Sequence, residues 1–347
     1  MRAFSIPSRT ITIREGKEEV TSMQSNFLRC VFLAILLFAG TAASAAESYP
    51  DRPIRLYVGF PPGGPTDIIA RIIGRGLSEK LGQSVVVENR GGAGGMIAAR
   101  AVASAKPDGY TLFVSVESSQ TRGAALHKSL SYDPVKDFTY IAKIAKQRNL
   151  LVVNPRFPAS NVAEFLAYLK ANPGKVNFGG TFGATSHIGG ILFDLENKTR
   201  MSFISYQGGA QPITDLMAGV TQVGFFTEAT IASAVKAGKL KPLAVCAPER
   251  SPEFPNLPTI GEAGAHPMEL SPWFGLAGPA HLPPAIVSRL EHAVEQLVSD
   301  KTFNTQLQQI GAVSIVGSNA KSNQSDVVRE IAYWKKFVAD AKIPINP

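Results

Sequence analysis

Short runs of apolar and β-branched residues alternate with amphipathic stretches along this chain. In the first third, these runs predict strands at Ile54–Phe60, Ser84–Glu88 and Tyr110–Ser115. Apolar positions at helical spacing predict a helix that ends at Gly82 and a second helix over Ile97–Ala105. Strands that alternate with helices indicate an α/β fold with a largely parallel sheet.

The alternation continues through the rest of the chain. Further strands are predicted at Leu150–Val153 and Val176–Phe178, and helices after Pro283-Pro284 and over Val327–Ala341. Strand-like stretches near Leu150–Asn154 and Leu270–Leu276 predict a chain that leaves one lobe, builds a second lobe and returns to the first.

The N-terminal segment has the pattern of a secretory signal peptide. Arg29 precedes the apolar run Val31–Ala39, and small residues then lead to a cleavage site near Ala45. The run is shorter than the ~20 apolar residues that span a bilayer. Met23 is a possible true start, and either start gives the same mature chain from Ala46.

Composition excludes several classes of protein. The chain has 347 residues, of which 45% are hydrophobic and 18% charged, so it is neither fibrous nor disordered. Residues 1–45 hold five Lys or Arg and three Asp or Glu, so removing them lowers the net charge from +8 to +6. No basic run exceeds two residues, which excludes a nucleic-acid platform, although a positive surface can steer anions toward the protein.

The two cysteines predict neither a disulfide framework nor a zinc site. Cys30 lies within the signal peptide, and the apolar neighbours of Cys246 predict a buried thiol. We therefore expect no metal and no cofactor.

The loop Phe60–Asp67 lies between the first predicted strand and the first predicted helix. Gly63 and Gly64 allow the backbone to approach a ligand, and Thr66 or Asp67 is expected to cap the helix. The amide N–H groups at such a helix start attract anions, and a carboxylate fits there. The alternative is an ordinary turn between a strand and a helix.

A second loop, Gly179–His187, has the same chemistry and the same position between a strand and a helix. The two loops could therefore face each other. Neither loop matches the G-x-x-x-x-G-K-[ST] phosphate cradle, and Gly91–Met96 does not match G-x-G-x-x-G, so nucleotide binding loses support. Hydrolase motifs are also missing, and the adjacent pair Ser186 and His187 leaves only a minor hydrolase hypothesis.

Several short motifs occur in an order that identifies a family. They are Tyr49–Arg55, Phe60–Asp67, Val87–Arg90 with the glycines that follow, Lys106–Leu112, Tyr132–Pro134 with Asp137 and Phe138, Asn172–Lys175, Lys236–Leu240, Pro258 and Thr259 with Glu262–Gly264, and Trp273–Gly275. Over nearly all of Ala46–Pro347, the chain resembles the Bug-type solute receptors of tripartite tricarboxylate transporters.

The resemblance implies a type II-like periplasmic binding protein, a Venus flytrap whose two α/β lobes are joined by two crossover strands. We expect residues 46–150 and 272–347 to form lobe 1, and residues 151–271 to form lobe 2. The resemblance also implies a periplasmic, monomeric receptor that catalyses no reaction. It would bind a small carboxylated solute and deliver it to two membrane permease subunits, or report the solute to a sensor kinase instead.

In such receptors, main-chain N–H groups and ordered waters hold the carboxylate, which implies a site at the two loops. The predicted ligand-binding residues are Phe60, Pro62, Gly63, Gly64, Pro65, Thr66, Asp67, Gly180, Thr181, Thr185, Ser186, His187, Gly208, Gly209, Thr227 and Glu228.

The chain departs from the usual family pattern at a few positions. Gln207 stands where Lys or Arg is common, and Ile191 stands where Glu often occurs. Glu228 could contact an amine or hydroxyl of the solute, or face solvent. Trp273 and Phe274, at the second predicted crossover, favour a core or hinge role over stacking on an aromatic acid.

Overall fold

The computed structural model describes residues 49–206 and 210–345, and one compact unit begins at Pro50. The predicted signal peptide, with its cleavage near Ala45, and the candidate ligand residues Gly208 and Gly209 lie outside the described residues. Within the described ranges, no helix combines the length and apolar character needed to cross a membrane.

Six strands form one sheet: β1 (Ile54–Val58), β2 (Val85–Asn89), β3 (Thr111–Val116), β4 (Phe138–Gln147), β10 (Trp273–Pro279) and β11 (Ala312–Ser314). Their order across the sheet is β11-β4-β10-β3-β1-β2. Strand β1 pairs in parallel with β2 and β3, while β10 runs antiparallel to β3 and β4, and β11 antiparallel to β4. The carboxyl ends of β1, β2 and β3 therefore lie at one edge of this sheet.

Five strands form the second sheet: β5 (Asn149–Val153), β6 (Asn177–Thr181), β7 (Ser202–Tyr206), β8 (Val223–Thr227) and β9 (Lys241–Val245). Their order across the sheet is β7-β6-β8-β5-β9. Strand β6 is parallel to β7 and β8, and β5 is antiparallel to β8 and β9. The carboxyl ends of β6, β7 and β8 share one edge as well.

Helices connect most of these strands. They are α1 (Pro65–Leu81), α2 (Met96–Ala103), α3 (Glu117–Gln120), α4 (Gly123–Leu126), α5 (Val162–Ala171), α6 (Thr185–Asn197), α7 (Ala210–Ala218), α8 (Glu228–Lys236), α9 (Pro284–Val298), α10 (Lys301–Gln309) and α11 (Ala320–Asp340). The predicted α/β class is confirmed. The prediction of a largely parallel sheet is wrong. The strands that carry the chain between the sheets pair antiparallel with their neighbours; these strands are β4, β5 and β10.

The chain passes between the two sheets at two places. It leaves β4 at Gln147 and enters β5 at Asn149, and it returns through residues 246–272 to β10. These connections are bonded to each other, since the amide of Gln147 donates to the carbonyl of Pro272 at 3.0 Å and Asn149 Nδ2 donates to the carbonyl of Leu270 at 2.6 Å. The two connections therefore lie side by side, as expected for a hinge, while the residue limits of the lobes stay a prediction.

Close packing fixes helix α6 against the second sheet. A Cβ at Gly190 would lie 2.3 Å from the ring of Phe178 on β6, so only glycine permits this approach. The start of α6 is thus held at the carboxyl edge of β6. Cys246, just after β9, is fully buried as predicted, and burial raises the pKa of its thiol.

Helix α11 belongs to two hydrophobic cores. Val327, near its start, packs in the cluster that contains Phe113 of the six-stranded sheet. Trp334 and Phe337, near its end, pack in the cluster that contains Phe225 of the five-stranded sheet. The C-terminal helix therefore packs against both sheets and crosses the hinge between them.

Candidate functional site

The first corner, Phe60–Asp67, joins β1 to α1. Helix α1 begins at Pro65, and its N-cap is Gly64 without a side-chain cap, so the predicted capping by Thr66 or Asp67 is wrong. Proline is well placed at this position because the first helical N–H has no acceptor within the helix. The amide N–H groups of Thr66 and Asp67 also lack intrahelical acceptors. They are the groups that could donate to an anion at this corner.

The side chain of Asp67 holds the first corner in shape. Its Oδ2 accepts from the amide of Gly63 and from Arg71 Nε, both at 2.9 Å, and its Oδ1 accepts from Asn89 Nδ2 at 2.8 Å. Asn89 also donates to the carbonyl of Phe60 at 3.0 Å. The carboxylate, in a residue only 2% exposed, is therefore occupied by its own loop.

Two opposing effects set the charge of Asp67. Burial raises the pKa of its carboxyl, but the hydrogen bonds from Arg71, Gly63 and Asn89 outweigh burial and leave the pKa below its usual value. Asp67 is thus ionised and compensated. A direct contact between Asp67 and an anion would have to come from its amide rather than from its side chain.

The second corner, Gly180–His187, joins β6 to α6. Ser186 Oγ accepts from the amide of Thr181 at 3.2 Å, and His187 Nδ1 accepts from the amide of Gly183 at 3.2 Å. The N-cap of α6 is Ala184 in extended backbone, so the amides of Thr185 and Ser186 lack intrahelical acceptors. This corner repeats the arrangement of the first one. Side chains accept hydrogen bonds from the loop amides, and amides at the helix start are left without an acceptor within the helix.

His187 is neutral at physiological pH. The residue is 3% exposed, and its ring centre lies 4.9 Å from that of Phe182 and 4.1 Å from that of Phe203. Desolvation in this aromatic environment lowers the pKa of His187 to about 4. Because Nδ1 accepts from Gly183, this nitrogen cannot serve Ser186 as a general base, and His187 brings no positive charge to the corner.

Two further predicted residues lie at the start of α8. The Oγ1 atoms of Thr227 and Thr230 are 3.1 Å apart. Glu228 is 1% exposed, so the alternative in which its side chain faces solvent is wrong. Burial raises the pKa of its carboxyl, opposed by the Ser251 hydroxyl and by the charge of Arg148.

Glu228 lies at the junction between the sheets. A Cβ at Gly311, in the turn before β11, would lie 3.4 Å from the Glu228 Cβ, and the Glu228 amide donates to the carbonyl of Arg148 in the first connection. This position favours a structural role at the hinge. Trp273 is likewise 4% exposed and in the core, as the favoured interpretation expected.

The segment 117–126, which follows β3, was missed by sequence reasoning. Ser118 Oγ donates to the carbonyl of Gly94 at 2.9 Å, and a Cβ at Gly95 would lie 3.4 Å from both Ser119 and the Phe60 ring. At its other end, a Cβ at Gly183 would lie 3.2 Å from Leu126. The segment therefore connects the surroundings of the first corner with the second corner.

A signal for this segment was present in the sequence. Successive strand-helix-strand units predict that β1, β2 and β3 are parallel, and parallel strands end at the same edge of a sheet, where ligands bind in α/β folds. The loop after the third strand should therefore have joined the candidate site. In the described ranges, no group of three or more His, Cys, Asp or Glu is placed to hold a metal ion.

Comparison with known proteins decides the family. The family described as "Tripartite tricarboxylate transporter family receptor" matches residues 69–342. Protein BugT of Bordetella pertussis is 32% identical over 321 residues, which cover 92% of this chain and 98% of BugT. The chain belongs to the tripartite tricarboxylate transporter receptor family. It is a Bug-type solute receptor and not an enzyme, so the hydrolase hypothesis is wrong.

Solved structures confirm the fold class of the receptor. The R. palustris protein Rpa4515 with adipate superposes with a TM-score of 0.77 at 34% identity, covering 86% of this chain and 99% of that one. MatC from Rhodopseudomonas palustris with bound malate gives a TM-score of 0.72 at 31% identity, covering 84% and 100%. The receptor is thus a type II-like periplasmic binding protein with two α/β lobes.

Substitution of Asn89 tests the support of the first corner. Asn89→Ala leaves the Phe60 carbonyl and one Asp67 oxygen without their donor, so we expect a loss of about 1–3 kcal/mol in the free energy of unfolding, measured by urea denaturation. Arg75→Gln is the control, since Arg75 is exposed on the same helix outside the corner and such a surface substitution changes the free energy of unfolding by at most about 0.5 kcal/mol. Equal losses in the two variants would contradict this role for Asn89.

The pKa of His187 predicts a pH-dependent contribution to stability. Because the unfolded chain takes up the proton first, the stability that neutral His187 contributes is full above pH 6.5 and falls as the pH drops toward about 4. The difference in unfolding free energy between the wild type and His187→Asn should shrink by on the order of 3 kcal/mol across this window. A difference that stays constant with pH would show that His187 is not held neutral.

Proposed function

We propose that this receptor works in the periplasm, binds a small carboxylate between its two corners and delivers it to a two-subunit membrane permease. The observation that carries the proposal is the pair of helix starts, each with backbone amides that have no acceptor in their helix. The signal-like N-terminal sequence and the positive net charge agree with export and with attraction of anions.

The amides supply enough binding energy without a cationic side chain. Micromolar affinity requires about 8 kcal/mol, and one charge-assisted hydrogen bond contributes about 1.5–3 kcal/mol. The amides of Thr66, Asp67, Thr185 and Ser186 reach this range together, and helix-start electrostatics add up to ~2 kcal/mol. Neutral His187 and compensated Asp67 leave this recognition to the backbone.

Related receptors favour a dicarboxylate among the possible acids. The Rpa4515 and MatC structures contain adipate and malate, each with two carboxylates. Two helix starts, one on each sheet, offer one anion site for each end of such a molecule. Closing of the two lobes around a dicarboxylate would then bring both corners into contact with it.

Isothermal titration with adipate, malate and benzoate tests carboxylate binding, with adipamide as the neutral control. Thr185→Pro removes one amide N–H at the first position of α6, where proline is tolerated and Ala184 already has the extended backbone that a following proline requires. We expect roughly tenfold weaker binding of the best acid. Thr185→Ala removes only the hydroxyl and methyl groups of the side chain and keeps the backbone N–H, so this variant should bind like the wild type.

Two results would overturn the carboxylate proposal. One is the absence of a saturable heat for every acid in the panel. The other is equal affinity of the Thr185→Pro and Thr185→Ala variants, provided that circular dichroism shows both to be folded.

Uptake of a labelled carboxylate tests the permease partner. Deletion of the gene should abolish uptake of the acid that calorimetry identifies, because the permease then lacks its solute receptor. The wild-type gene should restore uptake, and the Thr185→Pro variant should restore it poorly. Normal uptake in the deletion strain would contradict delivery and favour a receptor that serves a sensor kinase.

A further inference from the structure

Thr227 lies at the end of β8, beside the second corner. Strands β6 and β8 are parallel neighbours, and Phe178 on β6 pairs with Val223 on β8. Thr181 comes three positions after Phe178, and Thr227 comes four positions after Val223, so both residues are at the carboxyl edge of the sheet. Neighbouring strands are about 4.8 Å apart. A solute bound at the second corner is therefore within reach of Thr227.

The side chain of Thr227 is on the face of the sheet that helix α6 covers. Side chains alternate between the two faces along a strand, so Val223, Phe225 and Thr227 share one face. Val223 and Phe225 pack in the hydrophobic cluster that contains Ile188 of α6. Because α6 begins at the second corner, Thr227 lies on the side of the sheet to which that corner belongs. Glu228, one residue later, is buried at the hinge instead.

The hydroxyl proton of Thr227 is already used within the protein. Thr230 has one O–H group, and this group donates to the carbonyl of Thr227 at 2.8 Å. The contact of 3.1 Å between the two hydroxyl oxygens therefore has Thr227 as its donor. A hydroxyl oxygen has two lone pairs in addition to its proton. Thr227 Oγ1 thus presents an acceptor, and not a donor, to a solute.

The lone pairs of Thr227 Oγ1 are not used by the helix that follows. Thr227 is the N-cap residue of α8, a position at which threonine usually accepts from an amide of the first turn. Its side chain forms no such capping bond. The residue is half-buried, so a solute in front of the sheet edge can reach the oxygen. This acceptor is therefore available to a donor group of the solute.

The charges around the corners decide which donor group fits this acceptor. A buried ammonium group is costly unless a carboxylate compensates it. Asp67 and Glu228 are the two acidic residues among the predicted ligand-binding residues, and neither is available. Asp67 accepts from Arg71 at 2.9 Å and from its own loop, and Glu228 is 1% exposed at the hinge. A neutral hydroxyl group needs no compensating charge and is the donor that fits.

We propose that Thr227 Oγ1 accepts from a hydroxyl group of the solute. The receptor would then prefer a hydroxydicarboxylate over the same acid without the hydroxyl group and over the corresponding amino acid. This inference rests on the proposed carboxylate function and narrows its substrate class. The two helix starts would bind the carboxylates, and Thr227 would supply a third point of contact. Three points of contact also distinguish the two enantiomers of a hydroxy acid.

Isothermal titration with malate, succinate and aspartate tests this preference. The three acids have the same carbon chain, and one carbon carries a hydroxyl group in malate, only hydrogen in succinate and an ammonium group in aspartate. We expect the better enantiomer of malate to bind about fivefold tighter than succinate, because it forms one more neutral hydrogen bond. Aspartate should bind roughly tenfold weaker than malate, because its ammonium group loses water without gaining a compensating charge.

Variants of Thr227 locate the contact. Thr227→Val keeps the shape of the side chain without its oxygen, so this variant should bind malate and succinate equally and keep the wild-type affinity for succinate. Thr227→Ser keeps the oxygen and should keep the preference for malate. Thr305→Val is the matched control, at an exposed position on α10 whose hydroxyl donates to its own helix, and should also keep the preference. If Thr227→Val does not fold, the wild-type comparison of the three acids decides.

Three results would overturn the inference while leaving the carboxylate proposal intact. They are equal wild-type affinity for succinate and both enantiomers of malate, binding of aspartate as tight as that of malate, and a preference for malate that persists in Thr227→Val. The absence of binding for every acid would be a different result, since it would overturn the carboxylate proposal and this inference together.

Discussion

Hydrogen bonds from loop amides to polar side chains shape both corners of the receptor. Where a strand turns into a helix, amides fall outside the regular backbone bonding of both elements, and side chains can supply their acceptors. Asp67 provides one for Gly63, Ser186 for Thr181 and His187 for Gly183. What remains at the helix starts are the amides of Thr66, Asp67, Thr185 and Ser186, which have no acceptor within their helix and can donate to water or to a ligand.

This arrangement explains why polar side chains are abundant at the corners and yet contribute little net charge. Arg71 compensates Asp67, and aromatic rings keep His187 uncharged. An anion would therefore meet oriented dipoles rather than a formal positive charge. Binding through dipoles depends on geometry. The packing that positions each helix start is therefore as important as the corner itself, and the close approach of Gly190 to Phe178 is an example.

Local signals in the sequence predicted the local structure well. The helix after β1 ends at Gly82 as predicted, because a glycine in the left-handed region is a signal that acts within one turn. Contacts between distant residues were not accessible. Asn89 supports Phe60 from a neighbouring strand, and Glu228 is buried by a turn near Gly311 that comes much later in the chain. The antiparallel partners of β4 and β10 were missed for the same reason, since only the return of the chain creates them.

Ion pairs as well as backbone hydrogen bonds hold the hinge. At the corners, backbone amides present positive ends toward the edge of each sheet, whereas beside the hinge the ammonium group of Lys143, on β4, is bonded to carboxylates of α11. Its Nζ lies 3.1 Å from Asp326 Oδ2 and 2.6 Å from Glu330 Oε1, so these ion pairs stabilise the packing of the C-terminal helix against the six-stranded sheet. Because α11 also packs in the core of the other sheet, the same ion pairs help to connect the two halves of the molecule where the chain crosses between them.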